Sequence, residues 1–440
     1  MVMTESGSQE SKALTIRNIL GIRDFRYLWL GQIVSNFGDA LTHLTLVLLI
    51  NRITGGSTAA IAYLLIALAL PQAVIGLFAG VFVDRLDRKR IMVVSDIVRG
   101  FLILAFIVVV LAGTESLWPI YIIGFLTSAA GAFFLPARSA SIPNIVPREG
   151  LLSANSLSQT SFVLFRVLGA TAAGLIIGLF DVFWLAFVID AATFFASAAF
   201  ISQIQLPRRK TDSPRDIPLG ENIRSAFGEL GEGLSIIARS RALMGTLVAA
   251  GVAMLGVGAL SVLFAPFIVN DIGLSETWFG FIESAQVAGM LVSGTVVAVL
   301  AARLRPTHLI SIGLVALGIT TMALAAAYQV WQLVIVLFAV GLSVTPINAS
   351  IATLIQATVE DRVRGRIMAA LGAIVQVTSI VSMLAAGILA AQLGTRYVFV
   401  LSGIIAVAAG LLSAWVYKGF RLPKPEHAET AVLETASEPL

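Results

Sequence analysis

Five polar residues recur at steps of three and four positions inside a long apolar stretch: Gln32, Ser35, Asn36, Asp39 and His43. Because these steps match the turn of an α-helix, the side chains are predicted to share one face. A carboxyl group surrounded by apolar residues can take up and release a proton near neutral pH. Asp39 is therefore predicted to couple protons or contact a substrate, with Asn36 and His43 beside it. A structural hydrogen bond to a neighbouring helix is the alternative.

Other polar residues interrupt apolar stretches elsewhere in the chain. Asp190 and Glu283, with Gln286 one turn beyond Glu283, are candidates for the same role, unless they lie close to the outer surface. Arg166 needs a carboxylate or carbonyl partner, because an isolated charge in hydrocarbon is costly. Asp39 is the expected partner, and an ion pair of purely structural role is the alternative.

The composition places these residues in a membrane. Of the 440 residues, 58% are hydrophobic and 12% are charged, which is about half the charged share of a soluble domain. Cysteine is absent, which excludes disulfides, thiolate metal sites and cysteine catalysis. The first 25 residues are polar and lack an apolar run with a cleavage site. We therefore expect no removable signal peptide and an amino terminus in the cytoplasm.

Apolar stretches long enough to cross the hydrocarbon recur along the whole chain. A spanning helix needs about 20 such residues, and this criterion predicts twelve spans. The predicted spans are 26–50, 58–82, 91–112, 117–137, 155–179, 182–204, 243–268, 277–301, 307–327, 329–352, 365–391 and 396–417.

Lysine and arginine concentrate in alternate connections between these spans. Short cytoplasmic loops carry an excess of both residues, and the outside turns hold essentially Arg52 and Arg396. Both termini are therefore predicted to face the cytoplasm. The positive charge is dispersed over loops, so nucleic-acid binding is not expected. The inside set is Arg17, Arg23, Arg85, Arg88, Lys89, Arg90, Arg148, Arg208, Arg209, Lys210, Arg303, Arg305, Arg362, Arg364, Lys418 and Arg421.

A charged, proline-containing stretch from Pro207 to Asp216 divides the spans into two sets of six. It is too charged to bury and is predicted to be a flexible cytoplasmic linker. The predicted domains are a cytoplasmic segment 1–25, a bundle 26–204, the linker region 205–241, a bundle 242–417 and a cytoplasmic tail 418–440.

The linker region ends in a stretch with one apolar helical stripe. The stripe is predicted either to lie on the membrane surface or to be an ordinary helical lead into the seventh span. Its members are Ile223, Phe227, Leu230, Leu234 and Ile237.

The two sets of spans repeat local features in the same order. Pro136 precedes a serine-containing stretch at the inner end of the fourth span, and Pro346 does so in the tenth. Arg85 after the second span has a counterpart in Arg303 after the eighth. Parallel six-helix repeats with a substrate path between them, near the bilayer midplane, are typical of secondary transporters.

The loop between the second and third spans carries a glycine, an aspartate, an arginine and a basic cluster. It resembles motif A of the major facilitator superfamily, with Asp87 where that motif commonly has glycine. The resemblance implies an all-α membrane protein with 12 transmembrane helices in two pseudo-symmetric six-helix bundles. An inner gate is expected from Gly80, Asp84, Arg85, Arg88, Lys89 and Arg90, joined by Asp96 and Arg99.

Further short stretches resemble the bacterial branch of macrolide-efflux and enterobactin-export proteins. They begin at Phe25, Gly38, Pro136, Ala154 and Arg364. Near the middle of the fifth span, Gly169 is followed by alanine, where the resembling antiporter motif has a glycine-proline step.

The combined features predict a transporter and no enzyme. Nucleotide-binding, zinc-protease and dinucleotide motifs are missing, so neither a cofactor nor a metal is expected. The leading hypothesis is proton-coupled export of an amphipathic or hydrophobic small molecule, drug-like or siderophore-like, by alternating access. The alternatives are movement of lipid or lysophospholipid, nutrient symport, and a non-transporting receptor or channel. The expected setting is the bilayer of a bacterial inner membrane, with the protein as a monomer.

Overall fold

The computed structural model describes residues 14–113, 116–206, 219–301, 304–359 and 361–418, and regular structure within them is helical throughout. The helices are α1 Ile16–Gly21, α2 Arg23–Ile53, α3 Thr58–Arg85, α4 Arg88–Leu111, α5 Trp118–Gly131, α6 Phe134–Ile145, α7 Leu151–Phe180, α8 Phe183–Ser202, α9 Leu219–Arg239, α10 Arg241–Pro266, α11 Phe279–Ala301, α12 Pro306–Leu324, α13 Val330–Thr358, α14 Asp361–Leu393 and α15 Thr395–Val416. Short 3₁₀ helices occupy Arg148–Gly150 and Glu276–Trp278, and a π-helical turn occupies Phe267–Asp271.

Eleven helical stretches of the described residues are long and apolar enough to cross a membrane. Each coincides with one of the twelve predicted spans, and the remaining prediction, 277–301, coincides with α11. The predicted fourth span is broken into α5 and α6, because Pro136 has no N–H to continue the hydrogen-bond ladder. Helices α7 and α13 also extend beyond their predicted apolar ends, since hydropathy marks the hydrocarbon-facing run and not the ladder itself.

The chain divides into two compact units. The first contains residues 1–224 and 262–284, and the second contains 225–261 and 285–440. The carboxyl-terminal end of α10 and the start of α11 thus group with the first unit. The domain boundaries proposed from sequence stay a prediction.

The core of the first unit is α2, which packs between α7 and α8. Glycines make this close approach possible. A Cβ built on Gly169 of α7 would lie 2.2 Å from the carbonyl oxygen of Phe37 on α2, and one on Gly31 would lie 3.1 Å from Oγ of Ser197 on α8. Helix α4 packs on the other side of α8, where Gly100 makes room for Phe195.

In the second unit, α12 packs against α13 and α15. Hydroxyl groups join the helices: Ser311 and Ser413 lie 2.8 Å apart, and Thr246 lies 2.9 Å from the phenol oxygen of Tyr417. A Cβ on Gly318 would lie 2.5 Å from the carbonyl oxygen of Gly403. Small residues therefore set these helix crossings.

Helix α9 docks on the protein with part of its apolar stripe. Ile237 is fully buried against α13 and α14, and Glu232 accepts a hydrogen bond from Arg366 at 2.6 Å. The opposite edge of the stripe is open, with Phe227 56% and Leu234 37% exposed. One edge thus packs on protein and the other is exposed, and contact of the stripe with the membrane surface stays a prediction. The linker 207–218 lies outside the described residues, and so do the surroundings of Ile223.

Candidate functional site

Helix α2 is largely buried, yet it presents a narrow polar face. Asn36 and Asp39 are partly exposed and His43 is exposed. Gln32 and Ser35, expected on the same face, are buried, and Ser35 donates to the backbone carbonyl of Gln32. Polar groups directed toward lipid are costly, so this open face is expected to meet water and not lipid.

Asp39 pairs with Arg99 of α4, whose guanidinium donates a hydrogen bond to the carboxylate. The expected pair between Asp39 and Arg166 is therefore wrong. Arg99 also lies over the ring of Phe194 on α8, with its guanidinium carbon 4.0 Å from the ring centroid. This contact fixes the cation between α4, α8 and the polar face of α2.

Two further aspartates complete a group that we call the charge cluster: Asp39, Asp96, Arg99 and Asp190. Asp96 is fully buried, accepts a hydrogen bond from Ser197 at 2.6 Å and lies 3.8 Å from Arg99. One oxygen of Asp96 and one of Asp190 have no hydrogen-bond partner among the described residues.

Asp190 of α8 is held against α2 by the lack of a side chain at Gly38. A Cβ on Gly38 would lie 2.1 Å from a carboxylate oxygen of Asp190. Thr193 donates to that oxygen at 3.1 Å, and the carboxyl interacts electrostatically with Asp39 and Arg99. The charge cluster therefore gathers three carboxyl groups around one guanidinium.

The structure thus groups Asp96 and Arg99 with Asp39 and not with the loop before α4. They lie about 12 and 16 Å along α4 from its first residue. In that loop, Asp87 caps α4 by accepting from the backbone N–H of Arg90 at 3.0 Å, and Arg88 donates to the carbonyl of Ala140 at 2.6 Å.

For three of the remaining predicted gate residues, the structure gives the exposure of the side chain. Arg85 and Arg90 are exposed, and Lys89 is half-buried. The surroundings of Gly80 and Asp84, and all of Arg303, lie outside the described residues. The gate role of the loop stays a prediction.

A second group consists of His43 of α2, Arg166 of α7 and Glu283 of α11. Arg166 interacts electrostatically with both other residues. Arg166 and His43 are exposed and Glu283 is partly exposed, although all lie within helices of membrane-spanning length. We call this group the open charge layer. Gln286 belongs to the second unit, where its carbonyl oxygen packs against Gly341 of α13.

Sequence reasoning missed a third group, at the helix ends predicted to face outward, which we call the outer cluster. Arg52 donates to Asp181 and, at 3.1 Å, to Glu276, and its guanidinium carbon lies 4.8 Å from the Phe183 ring centroid. The available signals were Arg52, one of two outside arginines, and the break at Asp181, whose positive φ of 57° ends α7.

Beside the outer cluster, the amides of Asn51 and Asn270 exchange hydrogen bonds of 3.0 and 3.3 Å. Gly174 and Gly178 of α7 let the backbone of Glu276 and Thr277 approach closely. These contacts hold the segment before α11 against α2 and α7.

A bundle of apolar helices with charged groups gathered in its interior defines a polytopic membrane transporter. The chain belongs to the transmembrane secretion effector family of the major facilitator superfamily, whose family profile matches residues 19–440. The predicted superfamily and fold class are thereby confirmed.

Similar proteins cover nearly the whole chain. Macrolide efflux protein A of Streptococcus pyogenes is 22% identical over 394 residues, covering 88% of this chain and 94% of that protein. The uncharacterized MFS-type transporter YfiS of Bacillus subtilis (strain 168) is 26% identical over 404 residues, or 87% and 90% of the two chains. The putative bacilysin exporter BacE of the same organism is 31% identical over 220 residues, about half of each chain.

Solved structures share the fold. A bacterial homologue of the human lysosomal transporter Spinster, in an inward-facing and unoccupied conformation, gives a TM-score of 0.70 at 16% identity, covering 95% of this chain and all of the other. The nucleoside transporter NupG gives a TM-score of 0.71 at 12% identity, covering 89% and 99%.

Proposed function

We propose that this protein exports an amphipathic small molecule from a bacterial cell by alternating access, in exchange for protons. In this proposal it lies in the inner membrane as a monomer, with both termini in the cytoplasm. The charge cluster carries the proposal, because it offers a proton-binding group at the depth where a transporter must couple two movements.

A charge count supports proton binding at the cluster. One guanidinium compensates one carboxylate, which leaves two further carboxyl groups within the same apolar surroundings. An ionised group costs about 2.5–3.5 kcal/mol at the centre of a spanning helix. Holding protons on the excess carboxyls removes most of this cost, so the cluster contains carboxyl groups that favour binding a proton.

The exposure of the carboxyls suggests a route for the proton. The Asp39 side chain is 44% exposed, whereas those of Asp96 and Asp190 are fully buried. Asp39 is thus the member in reach of the water-accessible interior, and His43 and Asn36 lie on its open side. In this proposal, protonation of Asp39 weakens its bond to Arg99 and frees α2 to move against α4 and α8.

The relatives support export as the direction. Macrolide efflux protein A and the putative bacilysin exporter are named for moving molecules out of the cell. Their family and fold are those of transporters, which favours transport over catalysis and over a receptor role.

The test is proton movement driven by substrate. Everted membrane vesicles from cells that overproduce the protein are energised to an acidic interior, and a pH-sensitive dye reports proton release when a macrolide such as erythromycin, or another amphipathic drug, is added. We expect release with the native protein and none with Asp39→Asn. Equal release from both proteins, or a conductance without alternating accessibility, would exclude the proposal.

A further inference from the structure

Arg166 is an exposed cation within a long apolar helix. It lies on α7 among Phe162, Leu164 and Leu168, and among the described residues it forms no ion pair. Arg99 of α4, by contrast, is bound by Asp39. A charge directed at lipid would be strongly unfavourable, so Arg166 faces the water-accessible interior. It is therefore available for an external anionic group.

Helix packing places an opposite charge at the same depth. A Cβ on Gly280 of α11 would lie 2.1 Å from the Thr171 hydroxyl on α7, and Gly174 packs on Glu276. These contacts show that α11 begins beside α7 and runs antiparallel to it. Glu283 is three residues below the Gly280 crossing and Arg166 is five below it, so their depths differ by about 3 Å.

The polar face of α2 passes close to this level. Gly169 of α7 meets the backbone of α2 at Phe37 and Leu41, and Trp29 of α2 donates to Ser161 of α7, so the two helices run parallel. Arg166 lies one turn below the Gly169 crossing and His43 lies two residues above Leu41, which places His43 about 7 Å higher along the bundle. A cation and a carboxylate thus share one level of the interior, with an imidazole above them.

We propose that Arg166 and Glu283 form the two ends of a binding site for a zwitterionic amphipathic molecule. Arg166 receives a carboxylate of the cargo, and Glu283 receives its ammonium group. The proposal rests on the proposed export function and names the class of molecule carried. A guanidinium suits a planar carboxylate because it can donate two parallel hydrogen bonds.

The separation of the two charges supports a site over a structural pair. Opposite charges at one depth of an apolar helix bundle gain most by direct contact, yet Arg166 and Glu283 form no ion pair. A bound molecule with an anionic and a cationic group can pair with Arg166 and Glu283 at the same time.

The test measures binding of four forms of one small peptide. L-alanyl-L-phenylalanine is used as the zwitterion, as the N-acetylated anion, as the amide cation and as the doubly blocked neutral molecule. Binding to the purified full chain in detergent is followed by thermal stabilisation, at a pH about one unit below the ordinary pKa of an α-amino group. We expect the zwitterion to bind most tightly and the neutral form most weakly.

Two variants separate the two ends of the site. Arg166→Gln should weaken the zwitterion and the anion about 10- to 100-fold and leave the cation unchanged, because one charge-assisted interaction is lost. Glu283→Gln should weaken the zwitterion and the cation and leave the anion unchanged. Arg148→Gln, which removes an exposed cation from the same unit, is the matched control and should change nothing.

Several results would overturn the proposal. One is equal stabilisation by the zwitterion and the doubly blocked peptide, whether both are large or both absent. Another is the same ligand ranking in Arg166→Gln and Arg148→Gln. A third is a strongly non-additive loss of unliganded stability in the Arg166→Gln/Glu283→Gln double variant, which would show a structural ion pair. Binding is measured without a proton gradient, so failure here is distinct from failure of proton-coupled export.

Discussion

Helices α4 and α8 of the first unit and α12 and α15 of the second are pairs built on the same plan, but their interiors differ in kind. A serine of the second helix reaches the first in both pairs. Ser197 donates to the carboxylate of Asp96 at 2.6 Å, whereas Ser413 lies 2.8 Å from the hydroxyl of Ser311. The matching helices therefore provide packing in both units, and those of the first unit also carry interior charge.

The two pairs also differ at the start of their first helix. Asp87 caps α4 through its side chain, whereas Arg305 precedes α12 without a side-chain cap. At the outer ends, Arg52 of the first unit binds acidic side chains, and Arg396 of the second donates to the carbonyl of Ala327 at 3.0 Å. Substitutions at these positions test each difference.

The largest effect is expected from Arg99→Gln. It leaves the buried carboxyl groups of the charge cluster without their cation, and breaking such a pair typically costs about 3–5 kcal/mol. Thermal unfolding of the purified protein should therefore occur at a much lower temperature. Ser311→Ala in the matching pair is the control and should cost about 1 kcal/mol. Equal losses of stability in the two variants would show that the interior charge does not distinguish the two units.

Asp39→Asn should abolish proton coupling but cost less stability than Arg99→Gln, because Asp96 still lies 3.8 Å from the guanidinium. The amide still accepts a hydrogen bond from Arg99 but cannot take up a proton. Substrate-dependent proton release in everted vesicles is expected to fall at least about tenfold, which corresponds to about 1.4 kcal/mol or more in the coupled step. Ser413→Ala should keep the native rate. A normal rate of proton release in Asp39→Asn would show that another carboxyl group couples the protons.

Asp87→Ala should destabilise α4 by about 1 kcal/mol through loss of its cap, and Asp87→Gly by only a few tenths of that. The glycine variant also restores the residue common in the resembling motif. Arg305→Ala before α12 removes no side-chain cap and should be nearly neutral. Urea or thermal unfolding distinguishes the three variants, and an equal cost for Asp87→Ala and Arg305→Ala would contradict the capping role.

Arg52→Gln is expected to have the smallest effect on stability, about 1 kcal/mol or less, because its ion pairs are partly exposed. It should nevertheless loosen the outer cluster. The chain has no native cysteine, so a single Thr277→Cys reports on this region through labelling by a membrane-impermeant maleimide. Labelling should be faster in Arg52→Gln than in Arg396→Gln. Equal rates would show that Arg52 does not hold the segment before α11.

Much of the fold could be predicted because it depends on local properties. Runs of about 20 apolar residues, the placement of arginines such as Arg88 and the resemblance at Gly80–Arg90 lie within short stretches of the chain. The break after Gly131 was not predicted, because the apolar pattern continues across it. The hydrogen-bond ladder is interrupted there because Pro136 has no N–H to donate.

The site was predicted residue by residue but not as contacts. Asp39, Asp190 and Glu283 stand out from sequence because ionisable groups are rare in apolar helices. Their partners do not stand out, because a partner depends on which helices approach and at what depth. The Arg52 group escaped notice for the same reason, since its two carboxylates come from distant segments.

The sequence by itself thus determined the membrane location, the spanning segments and the superfamily, because hydropathy, charge and motif spacing are properties of neighbouring residues. Only the tertiary structure decided that Asp39 binds Arg99 and leaves Arg166 open. That choice follows from Gly38 and Gly100, which allow α8 to pack closely on both α2 and α4 and so bring the two charges together. Close approach of backbones sets this pairing, and spacing along the chain does not encode it.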